Sequence, residues 1–365
     1  MWRSKTLRGL VLGLALVPAL ALSAELISPV NGLPLVQPAE GEGYTFWLVG
    51  HSYGETVYPV ASLLVNLGEI NRSRARGLVL LGDAVQAPTP VHLRNLRKVA
   101  EQLEMPVFIA PGNHDTRDPE AFENAFGDTY FDFRIGGDLY VVLYLHLHWD
   151  AVSPTQLDWF RERMRLAAAD PEVRNVILLS HHLVWCVDDP RLAMVRSRLT
   201  FPPDYREGFF SGQILPILDE IAAHRPVYWI SGDRTAFPPF FWKDPERNVT
   251  YLATGMRDHP ADSIVELRSL ASGEIRFRLV SLSGLDLGPI EQYGPEFWEA
   301  YYAGRLRTVS LREPLDLKYV ALVEAWMFVT NRRFIMGALL SSAATAGVLG
   351  LAWALYLWRR REVRP

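Results

Sequence analysis

One cysteine, Cys186, stands in the 365 residues, so no internal disulfide can form and no CxxC spacing for zinc or redox chemistry exists. Its surroundings, Leu183-Val184-Trp185-Cys186-Val187, are apolar, which marks a small buried side chain rather than a reactive thiol. Excess positive charge is lacking too. Lys and Arg number 37 against 41 Asp and Glu, a net charge of -4, so no broad basic surface is expected to concentrate nucleic acid. A serine-hydrolase elbow is missing as well: His51-Ser52-Tyr53-Gly54 lacks the second half of Gly-x-Ser-x-Gly, which leaves Ser52 and Ser180 without support as nucleophiles. Internal repeats and low-complexity tracts are also absent.

The two ends carry the long apolar runs. Residues 1–24 begin with Arg3, Lys5 and Arg8, continue through Gly9 to Leu22, and reach the small residues Ser23 and Ala24. That is the plan of a secretory signal peptide, cleaved or kept as an N-terminal anchor. At the other end Phe334 to Trp358 holds 25 residues without a charge and is followed by Arg359-Arg360-Arg361. Such a run is long enough for one transmembrane helix, and the arginines place residues 359–365 as a cytoplasmic basic tail. Residues 25 to about 331 are then expected on the far side, periplasmic or extracellular, anchored to the membrane by the C-terminal helix. A processed sorting signal is the alternative.

Between the ends, apolar runs at Thr45–Val49, Gly77–Leu81, Pro106–Ala110, Leu139–Leu145, Asn175–Ser180 and Val227–Ser231 predict buried strands. Helical patterns at His92–Leu103, Thr155–Ala168 and Gly212–His224 separate many of them, which argues an α/β layered fold. Ser263–Arg268 and Glu274–Ser281 predict a β-rich close to a domain spanning 25–283. From Gly284 to Arg333 the pattern turns aromatic and helical, a juxtamembrane neck whose Phe297, Trp298, Tyr301 and Tyr302 either meet headgroups or a partner or pack back on the domain.

Strand after strand ends in a polar cluster: Gly50-His51-Ser52-Tyr53, Gly82-Asp83, Gly112-Asn113-His114-Asp115, Ser180-His181-His182 and Gly232-Asp233-Arg234-Thr235. Carboxylate, amide and imidazole are the donors that hold zinc, manganese or iron, and strand ends are where an α/β fold gathers them. In order and spacing, the Gly-Asp, Gly-Asn-His-Asp and His-His clusters resemble the calcineurin-like metallophosphoesterases. Tyr130 to Phe133, Leu139 to Leu143 and Gln156-Leu157-Asp158-Trp159 fit that family's connecting elements. The resemblance covers about residues 44–282 and implies a calcineurin-like layered β-sandwich flanked by helices.

It also implies roles. Two metals side by side polarise a phosphoryl group and acidify a bridging water in such enzymes. Carried over, Asp83 is the bridging carboxylate, Asn113 and His181 are ligands of one metal, His114 is the leaving-group acid or charge stabiliser, and Asp115 orients His114. Departures are as specific as matches. The family's Asp-x-His falls on His51-Ser52-Tyr53, its second-motif aspartate on Gln86, and its Gly-His-x-His on Gly232-Asp233-Arg234-Thr235. One metal position keeps Asp83, Asn113, His181 and Asp233; the other keeps Asp83 and His51, with Tyr53 a poor ligand unless deprotonated. Arg234 offers a guanidinium that could replace metal charge beside a phosphate, or simply form a surface ion pair. His182 reads as a structural neighbour of His181, and His146, His148 and His259 as packing or surface histidines, with His259 the best candidate among them for a pocket extra. The expectation is one divalent metal (manganese, zinc or iron) or none, and either of two functions: a hydrolase acting on a small phosphoester with a single-metal site, or an inactive phosphoesterase-fold binding subunit of a membrane protein complex.

Overall fold

Phe46 and Leu48 face one side of the first strand, Trp47 and Val49 face the other, and all four are buried. A strand with two apolar faces has to lie between two packed layers. The computed structural model describes residues 26–145, 148–149, 151–196, 204–205, 208–234 and 238–303. In chain order the strands are β1 (Tyr44–Gly50), β2 (Gly77–Leu81), β3 (Val107–Ile109), β4 (Phe131–Ile135), β5 (Asp138–Val142), β6 (His148–Trp149), β7 (Asn175–Ser180), β8 (Asp204–Tyr205), β9 (Val227–Ser231), β10 (Phe240–Lys243), β11 (Val249–Ala253), β12 (Ser263–Ser269) and β13 (Ile275–Ser281). The α-helices are α1 (Ala61–Leu64), α2 (Leu67–Arg72), α3 (Pro90–Ala100), α4 (Pro119–Phe126), α5 (Pro154–Ala169), α6 (Ala193–Arg196), α7 (Leu215–Ala222) and α8 (Pro295–Tyr302).

Two sheets hold these strands, in the orders β13-β12-β1-β2-β3 and β10-β11-β9-β7-β5-β4, while β6 and β8 form a short separate pair. In the first sheet β1, β2 and β3 run parallel, with β12 and β13 antiparallel beside them. In the second, β5, β7, β9 and β11 run parallel, with antiparallel edge strands β4 and β10. The parallel strands explain the continuous apolar runs at Gly77–Leu81, Asn175–Ser180 and Val227–Ser231, which fill β2, β7 and β9.

Three buried clusters show the layering. Phe46, Leu48, Val79 and Leu81 meet Tyr140, Val142, Ile177 and Leu179 between the sheets. On the first sheet's other face Trp47, Val49, Leu78 and Leu80 pack with Leu96, Val99 and Phe122 from α3 and α4. On the second sheet's other face Val141, Val176 and Leu178 pack with Phe160 and Met164 of α5 and Ile217 and Ile221 of α7. The expected calcineurin-like sandwich is thus a helix–sheet–sheet–helix stack. Helix α5 shows how sequence sets its part. Ser153 caps it by accepting the Gln156 N–H at 3.3 Å, Pro154 opens the first turn, and Gln156, Phe160, Met164 and Ala167 form its buried stripe.

The packed core does not stop at residue 283. Leu285, Leu287, Ile290 and Tyr293 lie in the inter-sheet cluster, and Trp298 of α8 is buried with Phe240, its indole N–H donating to the Pro239 carbonyl at 3.1 Å. The described aromatics of the expected neck therefore pack back onto the domain. Among the described residues no helix is long and apolar enough to cross a membrane. The expected signal (1–24), the rest of the neck, the 334–358 span and the 359–365 tail lie outside the described residues.

Candidate active site

The strands β1, β2, β7 and β9 end together, and their following loops supply the polar groups. Two residues there sit in the left-handed region, His51 (φ 46°) and Asp83 (φ 50°), among four such non-glycine residues described. Asp and His tolerate that conformation better than most residues, but it still costs free energy, and such strain gathers at functional sites. The turns aim both side chains inward. His51 Nδ1 and His181 Nε2 each lie 3.3 Å from Asp83 Oδ2, and His181 Nε2 lies 3.7 Å from Asp233 Oδ1.

Close approach of backbones makes this possible. A Cβ on Gly82 would sit 2.5 Å from the His181 ring, and one on Gly112 would sit 2.4 Å from Asp83 Oδ1. At Gly232 it would fall 1.7 Å from the Leu81 carbonyl oxygen, where the ends of β2 and β9 touch. Gly232→Ala is expected to force the two strand ends apart and cost about 1–3 kcal/mol. Urea unfolding checks this, and an unchanged midpoint would count against the packed junction.

The donor set tests whether a metal fits. His181 Nδ1 lies 2.8 Å from the Leu81 carbonyl, which can only accept, so Nδ1 carries the proton and Nε2 the lone pair. His51 Nδ1, His181 Nε2 and His182 Nε2 are buried without a hydrogen-bond partner. Two groups of possible ligands result, His51/Asp83/His181 and His181/His182/Asp233, each with its ligand atoms within 4.8 Å of one another. A tetrahedral ion with bonds near 2.0–2.1 Å needs ligand atoms about 3.3–3.4 Å apart, the separation seen around Asp83 Oδ2. The residues fit one divalent cation. His181 has a single free nitrogen, so the two groups share that ligand rather than making two independent centres.

In the metal-free protein the His181 ring also carries a proton on Nε2, which a cation has to displace. Burial alone would raise the Asp83 carboxyl, but the His181 and His51 imidazoles hold it well below the usual carboxylate range. Burial works against a charged His181, yet Asp83 and Asp233 outweigh it and push its pKa up to about 10. His182 is pushed down by burial and donates from Nδ1 to Asp233 Oδ2 at 3.0 Å. Burial and the Asp83 charge raise the Tyr53 phenol, which therefore stays protonated, a donor rather than a ligand.

The expected site residues divide accordingly. His51, Asp83, His181 and Asp233 come together. Asn113 is half-buried in the loop after β3, whose next N–H, from His114, donates to Asp83 Oδ1 at 3.0 Å. Asp115 departs from expectation. Its carboxylate accepts the Ala84, Val85 and Gly112 N–H groups, each at 2.9 Å, so it fastens two site loops to each other instead of orienting the His114 ring. Burial and the Asp83 charge push it up to about 7. The His114 ring is held instead by the Gln86 carbonyl, 2.9 Å from Nδ1. Arg234 stacks 4.5 Å over the Trp298 ring, a contact with α8 that no local pattern indicates. His259 does the local packing work expected of it, its Nδ1 accepting the Ala261 N–H at 3.1 Å within its own turn; His146 lies outside the described residues. His182, read from sequence as a structural neighbour of His181, holds Asp233 and also falls within a possible ligand group. Sequence reasoning passed over Arg117, whose Nη2 lies 3.2 Å from His114 Nδ1 and 3.5 Å from Nε2.

The loop after β11 is tied to the site by Asp262. Its carboxylate accepts from Ser62 Oγ at 2.8 Å, from the Arg257 N–H at 3.2 Å and from the His259 N–H at 3.1 Å. Burial pushes its pKa up from 3.8 to about 6. The fold then holds that proton more tightly than the unfolded chain. The stability it contributes is full below about pH 4 and lost above about pH 6, a change of about 3 kcal/mol. Asp262→Asn, which mimics the protonated form, is expected to match the wild type at pH 4 and exceed it at pH 7 in urea unfolding. A variant weaker than wild type at pH 7 would contradict this.

Comparison with known proteins agrees with the site. The calcineurin-like phosphoesterase family model matches residues 60–233, a stretch that holds Asp83, Asn113, His114, Asp115, His181 and Asp233 and begins after His51. The match and the phosphatase relatives support the metallophosphoesterase superfamily for this stretch of the chain. It is 29% identical over 126 residues to the serine/threonine-protein phosphatase CPPED1 of Danio rerio, covering 30% of this chain and 40% of that one. To the CPPED1 of Rattus norvegicus it is 24% identical over 151 residues, 36% of this chain and 47% of the relative. The chain thus spans less than half the length of these relatives. Among solved structures, purple acid phosphatase PPD1 from yellow lupin seeds aligns at 9% identity over 69% of this chain and 54% of its own, with a TM-score of 0.47. GAP50, described as the anchor in the inner membrane complex of Plasmodium, aligns at 12% identity over 75% of this chain and 99% of its own, with a TM-score of 0.44.

Proposed function

We propose that this protein is a phosphoester hydrolase that works with one divalent cation held by Asp83 and His181, with His51 and Asp233 completing the set. The observation that carries this is the convergence of metal-ligand atoms from the loops after β1, β2, β7 and β9. His51 Nδ1 and His181 Nε2 each lie 3.3 Å from Asp83 Oδ2, and His181 Nε2 lies 3.7 Å from Asp233 Oδ1. A cation in that set supplies a Lewis acid for the phosphoryl oxygens and lowers the pKa of a water. The protein's own groups do the rest. Leu81, through its carbonyl, fixes the His181 tautomer, and His182 holds Asp233 in place. Asp115 and Asp83 lock the two loops that carry the site. With Nδ1 committed to Gln86, His114 presents Nε2 as the atom that gives a proton to the leaving oxygen.

Its termini support a place outside the cytoplasm, anchored through 334–358, and protease accessibility on intact cells tests that placement. The activity is tested on purified full chain stripped with chelator and reloaded with manganese or zinc, using an aryl phosphate. About one equivalent of bound metal and metal-dependent turnover are expected. A chain that binds no metal, turns nothing over and co-purifies with membrane proteins would instead be a phosphoesterase-fold binding subunit.

A further inference from the structure

The mouth of the site is built from donors. Tyr53 stacks against His51 (ring centroids 4.7 Å apart) and against His114 (4.6 Å, planes 25° apart), continuing a row of rings outward from His181. Arg117 is exposed at the outer end of the row, its Nη2 against the His114 ring. Arg257 is exposed in the loop after β11, whose Thr254 carbonyl crowds Gly50 beside His51. Both guanidinium charges act on the Tyr53 phenol.

Neither arginine forms an ion pair among the described residues, and the reason is local. The carboxylate next to each points toward a backbone N–H through its Oδ1: Asp118 accepts from Ala121 at 3.1 Å, and Asp258 accepts from Ser62 at 2.8 Å. Asp262 takes the backbone N–H of Arg257 itself, not its guanidinium. Two exposed cations therefore border Tyr53, Arg117 through the His114 ring that stacks on it and Arg257 from the loop that crowds Gly50. Like charges bordering one group without an acid are stabilised by an anion there.

We infer that Arg117 and Arg257, with the Tyr53 hydroxyl, grip the substrate's terminal phosphate and select a phosphomonoester dianion over a phosphodiester. This rests on the hydrolase reading above for its second half only. Two guanidinium forks supply paired N–H donors that match the three terminal oxygens and double charge of a monoester. A diester offers two terminal oxygens and one charge. Both charges act on Tyr53, which stands in the His51-Ser52-Tyr53 segment where the family's usual ligands are replaced.

The first measurement is calorimetric binding of inorganic phosphate to the full chain. Arg117→Ala and Arg257→Ala are each expected to weaken it about tenfold and the double variant about a hundredfold. Arg257→Lys is expected to recover part of the loss, because charge returns without the fork. Arg257→Ala also guards against an indirect effect of Arg117→Ala on His114. The second measurement is kcat/KM for 4-nitrophenyl phosphate against bis(4-nitrophenyl) phosphate, where both alanine variants are expected to lose the monoester selectively. Phosphate affinity unchanged in the double variant overturns the inference, as does equal loss on both esters. Arginine-dependent phosphate binding by a chain without turnover upholds the grip while removing the hydrolase reading.

Discussion

Asp83→Asn is expected to strip the cation from the purified protein and lower metal-dependent turnover by on the order of 10³-fold, while leaving the fold in place. Asp83 serves two purposes through different oxygens. Oδ2 faces His51 and His181, and Oδ1 accepts the His114 N–H. Asparagine keeps one oxygen to accept that N–H, so the loop stays attached. It removes the negative charge that a divalent ion needs and that offsets the buried imidazoles. Asp83→Ala removes both and is expected to loosen the loop as well. His182→Gln should be milder, about 10–100-fold in metal affinity, because His182 acts through Asp233. Elemental analysis of the metal-loaded variants together with the aryl phosphate assay decides the matter. Metal content and turnover both unchanged in Asp83→Asn would remove Asp83 from the site.

Legibility in the sequence followed sequence separation. The strands β2, β7 and β9 coincide with the predicted runs because each is buried on both faces, so nearly every residue had to be apolar. Which loops gather was readable too, since ligand-type residues follow strand after strand. What each polar group bonds was not. The partner of Asp115 depends on how the β2 and β3 loops meet, and adjacency to His114 suggested the wrong one. Arg234 finds Trp298, 64 residues on, across a packing contact that no local pattern encodes. Arg117 and Arg257 look like ordinary surface arginines until the fold places both around Tyr53 and shows their neighbouring carboxylates turned toward backbone N–H groups. The continuation of the core past residue 283 to Trp298 was hidden because aromatics that pack inward and aromatics that meet a membrane have the same composition.

Asp138→Ala is expected to destabilise the fold by about 3–5 kcal/mol without touching the chemistry. Asp138 is fully buried at the start of β5, where it joins the two sheets. Its Oδ2 accepts from Tyr44 Oη and Ser269 Oγ of the first sheet, both at 2.6 Å, and its Oδ1 accepts from Asn175 Nδ2 of the second at 2.7 Å. Burial raises the Tyr44 phenol far above its usual range, so it remains a donor. Truncation removes the shared acceptor of three buried donors, of which Ser269 Oγ is left with none while Tyr44 keeps the Tyr140 hydroxyl at 3.2 Å. Asp138→Asn with Asn175→Asp reverses donor and acceptor on that pair. It should recover part of the loss, limited because Asn175 Nδ2 also donates to the Gly273 carbonyl at 2.9 Å. Tyr44 opens β1 and His51 follows its end, so the network lies about 20 Å from the site, one seven-residue strand away. Folded Asp138→Ala should therefore keep wild-type kcat/KM at low temperature while its urea midpoint falls. A loss below about 1 kcal/mol would mean that the sheets are held by apolar packing alone.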